Sequence, residues 1–248
     1  MNKIRMAYKL TFAIWGLASI LAAYLFKIID GTEIKTTYLG NYEIFTIDFL
    51  STFTILSNFL VLFWLLFAAI FYKKEGEAKL LSQTSGLIAS VYISVTLVIY
   101  NFVLVPLDSA FPKDSFNQYV SIMNHVINPL AFVFYFLVLM PKKEHINLNE
   151  FFLKRFYIIF CLILAYCIYA MLRGEMRFQS SGDLYESHNL FYPYFFLNVH
   201  KTGPLNLAGG VWFAIAFFAI IACLIGFCYL YNFSSNLIIK TKFYQNLN

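Results

Sequence analysis

Residues 49–71 read FLSTFTILSNFLVLFWLLFAAIF, twenty-three residues without a charge. At about 1.5 Å per residue, a helix of that length crosses a hydrocarbon core of about 30 Å. Comparable apolar runs occupy residues 10–29, 84–105, 119–140, 153–172 and 206–231, and the run around the quoted stretch extends over 48–72. The chain therefore reads as an all-α, polytopic membrane protein, a bundle of six transmembrane helices. The composition agrees: 60% of the 248 residues are hydrophobic, 12% are charged and the mean hydropathy is +0.69, values outside the range of soluble domains.

The longest stretch between spans, 173–205, is too short for a globular unit, so residues 1–248 are expected to form one membrane domain. The first run follows Lys3, Arg5 and Lys9 like a secretory signal, but it is about 20 residues long and lacks a clear small-x-small cleavage site. It reads as a retained first helix. Twelve of the 18 basic residues fall at the two termini and in the 73–83 and 141–155 loops, against six in the other three loops. By the positive-inside rule both termini are expected to be cytoplasmic, in a multi-pass protein of the cell membrane. The net charge of +5 thus follows topology, and basic residues split among short loops do not make a nucleic-acid surface.

The quoted stretch carries polar residues at helical spacing, Ser51, Thr54, Ser57 and Asn58. The fourth run does the same in YVSIMNHVINPL (119–130), with Ser121, Asn124, His125 and Asn128. Counted from where each run begins, Thr54 and His125 are both six residues in, about 9 Å at the helical rise. Ionisable groups inside a membrane are costly and by default functional. A threonine hydroxyl is a poor nucleophile unless a base accepts its proton, and an imidazole at matched depth is the usual choice. Asn101 and Arg173 fall toward the same side, while the opposite halves of the helices read as almost wholly Phe, Leu, Ile, Val and Ala. From residue type alone, Asn128, Asn101 or Asp48 orients the ring, and Ser57, Asn58 or Arg173 stabilises an oxyanion.

Other chemistry is sparse. G-x-S-x-G, H-E-x-x-H and phosphate-binding glycine loops are absent, and Cys161, Cys167, Cys223 and Cys228 have neither C-x-x-C nor zinc-ligand spacing. No metal or cofactor is expected. His145, His188 and His200 read as solvent-facing loop residues, and the aromatic segment with Tyr192 and Tyr194 reads as a lid or an interfacial belt.

Four segments together, Phe53 to Asn58, Asn124 to Pro129, the pair Arg173 and Gly174, and YPYFFLNVHKTG (192–203), resemble the androgen-induced-protein family of six-helix membrane proteins, especially its bacterial relatives. The resemblance covers nearly the whole chain. Two animal members are threonine hydrolases of fatty acid esters of hydroxy fatty acids, so the resemblance implies Thr54 as nucleophile, His125 as base and a lipid ester as substrate. The chain departs from the pattern in having one residue fewer between His125 and Pro129 than the animal proteins. It also has Phe195 where bacterial relatives carry proline, and Asn198 near an aspartate position. A lipid-binding membrane protein or small-molecule transporter, with the polar cluster along a permeation path, is the reading from a different class.

Overall fold

The computed structural model describes residues 3–181 and 191–247, which are largely helical and contain no strand. Six helices are long and apolar enough to cross a membrane: α1 (Lys3–Asp30), α4 (Phe53–Ile70), α5 (Gln83–Asp108), α6 (Ser115–Leu139), α8 (Phe156–Ser181) and α9 (Gly209–Ile238). Shorter helices join them: α2 (Thr32–Thr37) and α3 (Tyr42–Ser51) precede α4, α7 (Leu148–Lys154) precedes α8, and α10 (Lys242–Leu247) closes the chain. The protein is a six-helix, multi-pass membrane protein.

Helix starts obey local chemistry. The side chains of Asn41, Thr52, Ser82, Asp114 and Asn147 each accept the backbone N–H three residues on, satisfying a donor the helix leaves open. Inside the bundle α4, α5 and α6 bury about half of their most apolar stretch, with Val61, Leu65, Leu87, Ile93, Phe132 and Phe136 at the centre. The corresponding share is 11% for α8 and 17% for α9, so these two present most of their surface to lipid.

The structure moves several boundaries. The second span begins at Phe53, because Thr52 is extended (ψ 144°) and caps the helix; Asp48 belongs to the separate helix α3. Thr54 therefore lies in the first turn of its span, not six residues inside it. The fifth span continues to Ser181, which places Arg173 within a helix and shortens the following loop. The first span starts at Lys3 and draws a basic residue inside. Lys9 Nζ contacts Glu75 Oε2 at 2.7 Å and the Ala68 carbonyl at 2.6 Å, and the Tyr135 hydroxyl donates to the same carboxylate.

Nor is the half of the bundle away from Thr54 purely apolar, as expected from sequence. Ser90, Ser94, Asn232, Ser235 and Asn236 are buried there. Most are tied off locally: Ser90 donates to the Gly86 carbonyl, Ser94 to the Ser90 carbonyl while meeting the Tyr231 hydroxyl, and Asn236 exchanges two bonds with the Ile146 backbone. Such i−4 back-bonds let hydroxyl residues sit inside apolar helices at little cost.

Candidate active site

Thr54 Oγ1 and His125 Nε2 stand 3.4 Å apart, the one contact that joins the two residues singled out by sequence. Distances of this length are ordinary for a nucleophile and base without substrate, and tighten as the reacting complex forms. The ring's other nitrogen, Nδ1, lies 2.9 Å from the Ser121 carbonyl, one turn earlier on α6. A carbonyl only accepts, so Nδ1 carries the proton and Nε2 presents its lone pair to the threonine. Tyr100 stacks on the imidazole with centroids 3.3 Å apart and planes within 7°. Its hydroxyl donates to the Ala110 carbonyl at 3.1 Å, so Ser121 Oγ, 2.6 Å away, is the donor to Tyr100.

The backbone under His125 is irregular for a reason written in the sequence. Pro129 has no N–H, so the carbonyls four and five residues before it, on His125 and Asn124, lose their helical donor. Residues Met123–Ile127 adopt a π-helical turn, a form often found at functional sites. The two carbonyls are served from neighbouring helices: Asn101 Nδ2 donates to His125 O at 3.2 Å and Asn58 Nδ2 to Asn124 O at 3.0 Å. Asn58 also donates to the Thr54 carbonyl at 2.9 Å and accepts from Asn128 at 2.9 Å. Ser57 donates to Thr54 O at 3.1 Å and meets Thr96 Oγ1 at 2.7 Å. Ser57, Asn58, Asn101 and Asn128 thus hold the two backbones in register and make no hydrogen bond to the imidazole ring.

Arg173 is held differently. It lies 3.3 Å from Asp48 Oδ1, donates to the Ser51 hydroxyl and covers the Tyr169 ring, while Arg177 takes the same carboxylate oxygen at 2.6 Å. Asp48 is committed to these arginines rather than to the imidazole.

The segment before α9 folds over the site. Tyr192 donates to Glu175 Oε2 at 3.2 Å, and its ring lies so close to Gly174 that a Cβ there would fall 2.2 Å from it. His200 is exposed, as expected, and pairs with the same carboxylate oxygen at 2.7 Å while stacking on Phe178. At the far end Gly209 admits the Asn198 carbonyl to 2.1 Å from where a Cβ would be. The segment is clamped at both ends, and between the clamps the half-buried Tyr194 hydroxyl interacts with the Thr54 side chain, the Phe53 and Thr54 backbone and the Tyr166 hydroxyl. Burial pushes the Tyr194 phenol pKa up, which keeps it a proton donor at neutral pH. His188 lies outside the described residues.

Two spaces of different character meet at Thr54. On one side is a vestibule of about 430 Å³ whose lining includes Lys27, Asp48, Asn124, His125 and Arg173. On the other is a narrow cleft of about 70 Å³ whose walls are carbon apart from a few hydroxyls and the Cys167 thiol. Thr54, Tyr100, Leu104 and Tyr194 belong to both linings. No group of three or more potential metal ligands occurs among the described residues.

No family model, curated protein or solved structure matches the chain.

Proposed function

We propose that the protein hydrolyses lipid esters inside the membrane, with Thr54 as nucleophile and His125 as base. The observation that carries this reading is the 3.4 Å approach of Thr54 Oγ1 to an imidazole nitrogen whose partner nitrogen is bonded to a carbonyl. That is the relation of nucleophile, base and orienting group common to hydroxyl hydrolases, with the Ser121 backbone as orienting group. The resemblance of Phe53 to Asn58 and Asn124 to Pro129 to an intramembrane threonine hydrolase family supports the same assignment.

In this reading Thr54 Oγ1 attacks the ester carbonyl carbon while Nε2 accepts its proton. The tetrahedral oxyanion meets the Tyr194 hydroxyl, a donor that interacts with the Thr54 side chain. Collapse breaks the bond to the alcohol oxygen, which leaves with the proton from His125, and Thr54 is acylated. Water from the polar vestibule then gives its proton to Nε2 and its oxygen to the acyl carbon, releasing the acid and restoring the threonine. We place the protein in the cell membrane, and by the distribution of basic residues both termini are cytoplasmic, so the vestibule opens outward.

The transport reading requires a polar path through the bundle. The hydroxyls of Ser90 and Ser94 and the Asn236 amide are consumed by local bonds, and the polar side chains of Asn232 and Ser235, although without a hydrogen-bond partner, are fully enclosed, so no polar path is continuous among these residues. Turnover of lipid esters by Thr54→Ala, His125→Ala and the double variant tests the proposal. Residues acting as a unit each cost about as much as both together, on the order of 10⁴ in kcat. Losses that multiplied, or activity retained by Thr54→Ala, would reject it.

A further inference from the structure

The narrow cleft does not stop at the reactive pair. Beyond Ile163, Cys167, Phe196, Leu197 and Ile220 it continues into a second apolar space of about 40 Å³ that shares those five residues and is bounded on its far side by Phe160, Leu164, Phe217 and Ile221. Each of those four far-side residues is only partly buried. They belong to α8 and α9, the two spans with most of their surface unpacked. The slot thus runs from Thr54 to the lipid-facing seam between α8 and α9, and beyond the hydroxyls at its inner end its lining offers no polar group but the Cys167 thiol.

We propose that this seam is a binding site for one extended hydrocarbon chain, which enters laterally from the bilayer between α8 and α9 and reaches Thr54 with its carbonyl end. Chemistry chooses the occupant. The walls are almost wholly hydrocarbon, so a polar headgroup would find almost no partner there, whereas a methylene chain needs none. The wider vestibule across Thr54 carries charged side chains among apolar ones and takes the other half of the molecule. Lipid already solvates a methylene chain as well as protein does, so the slot contributes alignment more than affinity. Naming the chain as the acyl side of the ester rests on the hydrolase reading; the existence of the lipid site does not.

The experiment uses the full-length protein in vesicles of saturated phosphatidylcholine, with a long-chain fatty acid carrying a diazirine near its methyl end. Illumination followed by peptide mapping should place adducts around Cys167 and Ile220, and excess unmodified fatty acid should remove them. Labelling of the lipid-facing side of α1 at Ile14 should not be competed, because that surface is exposed and unstructured as a site. Cys167→Trp and, independently, Ile220→Trp should each lower the competable adduct at least tenfold. Both should cut turnover of long-chain esters by a similar factor and lower acetyl ester turnover far less. Thr54→Val should leave the adduct intact. Adducts spread evenly over all lipid-facing helices, or unaltered by either tryptophan, would overturn the site while leaving Thr54 chemistry standing. Competable adducts in a protein whose Thr54 proved inert would retain the lipid site and remove the hydrolase reading.

Discussion

The ring of Tyr100 lies flat against the imidazole of His125, 3.3 Å from centroid to centroid, and its hydroxyl meets the Ser121 side chain one turn before the histidine. The stack fixes the plane of the ring and the Ser121 carbonyl fixes its rotation. Tyr100→Leu removes the first restraint and lets Nε2 drift from Thr54. A misplacement of about 1 Å costs on the order of 100-fold in rate, so kcat should fall by about that factor with little change in KM. Tyr100→Phe keeps the stack and should lose far less; equal losses in the two variants would assign Tyr100 to general packing.

Asn58 and Asn101 exist in this account to serve the carbonyls that Pro129 leaves open. Removing either amide, as in Asn58→Leu or Asn101→Leu, strands a buried acceptor at a cost of about 1–3 kcal/mol, visible as a lower Tm in detergent. Pro129→Ala restores a backbone donor to the same helix. The combination of Pro129→Ala with Asn101→Leu should therefore be more stable than the sum of the separate changes. Strict additivity would contradict the pairing.

Much of the fold was legible because its period and length are dictated by the bilayer, and all six spans sit where the apolar runs are. The pairing of Thr54 with His125 was legible too, since both stand out as polar groups within apolar helices. What sequence could not reveal is how the ring is oriented. Asn101, Asn128 and Asp48 were the candidates by residue type, whereas the structure uses the Ser121 carbonyl, a group every residue carries and no side-chain reading distinguishes. The spacing of four from Ser121 to His125 and the proline four residues later were the available clues. The start of the second span was misread for a simpler reason: the end of α3, with Phe49 and Leu50, runs into α4 with no charge between them, and only the extended, capping threonine at 52 marks the break.

Gly174 sets the seat of Tyr192, so Gly174→Ala should push the ring away and lift the segment bearing Tyr194 from Thr54. Ester turnover should drop at least tenfold in that variant. Adding Tyr192→Ala opens the space again and should recover part of the loss; a double variant worse than Gly174→Ala would show that the contact is not what the glycine accommodates.

Orientation is tested by single cysteines introduced on a background with Cys161, Cys167, Cys223 and Cys228 replaced by alanine. Lys35→Cys should react with an impermeant maleimide added to intact cells, and Lys79→Cys and His145→Cys only after permeabilisation; all three positions are exposed. The reverse pattern would turn the vestibule toward the cytoplasm.

The most direct measurement is the mass of the peptide bearing residue 54 after treatment of the folded protein in lipid vesicles with an alkyl fluorophosphonate. The account predicts a phosphonate adduct on Thr54 Oγ1, lost in Thr54→Val, which keeps the side chain's shape without its hydroxyl, and sharply reduced in His125→Ala. Thr54→Ser should still be labelled. An adduct on another residue, or a Thr54→Val protein that continues to hydrolyse lipid esters, would contradict the threonine mechanism.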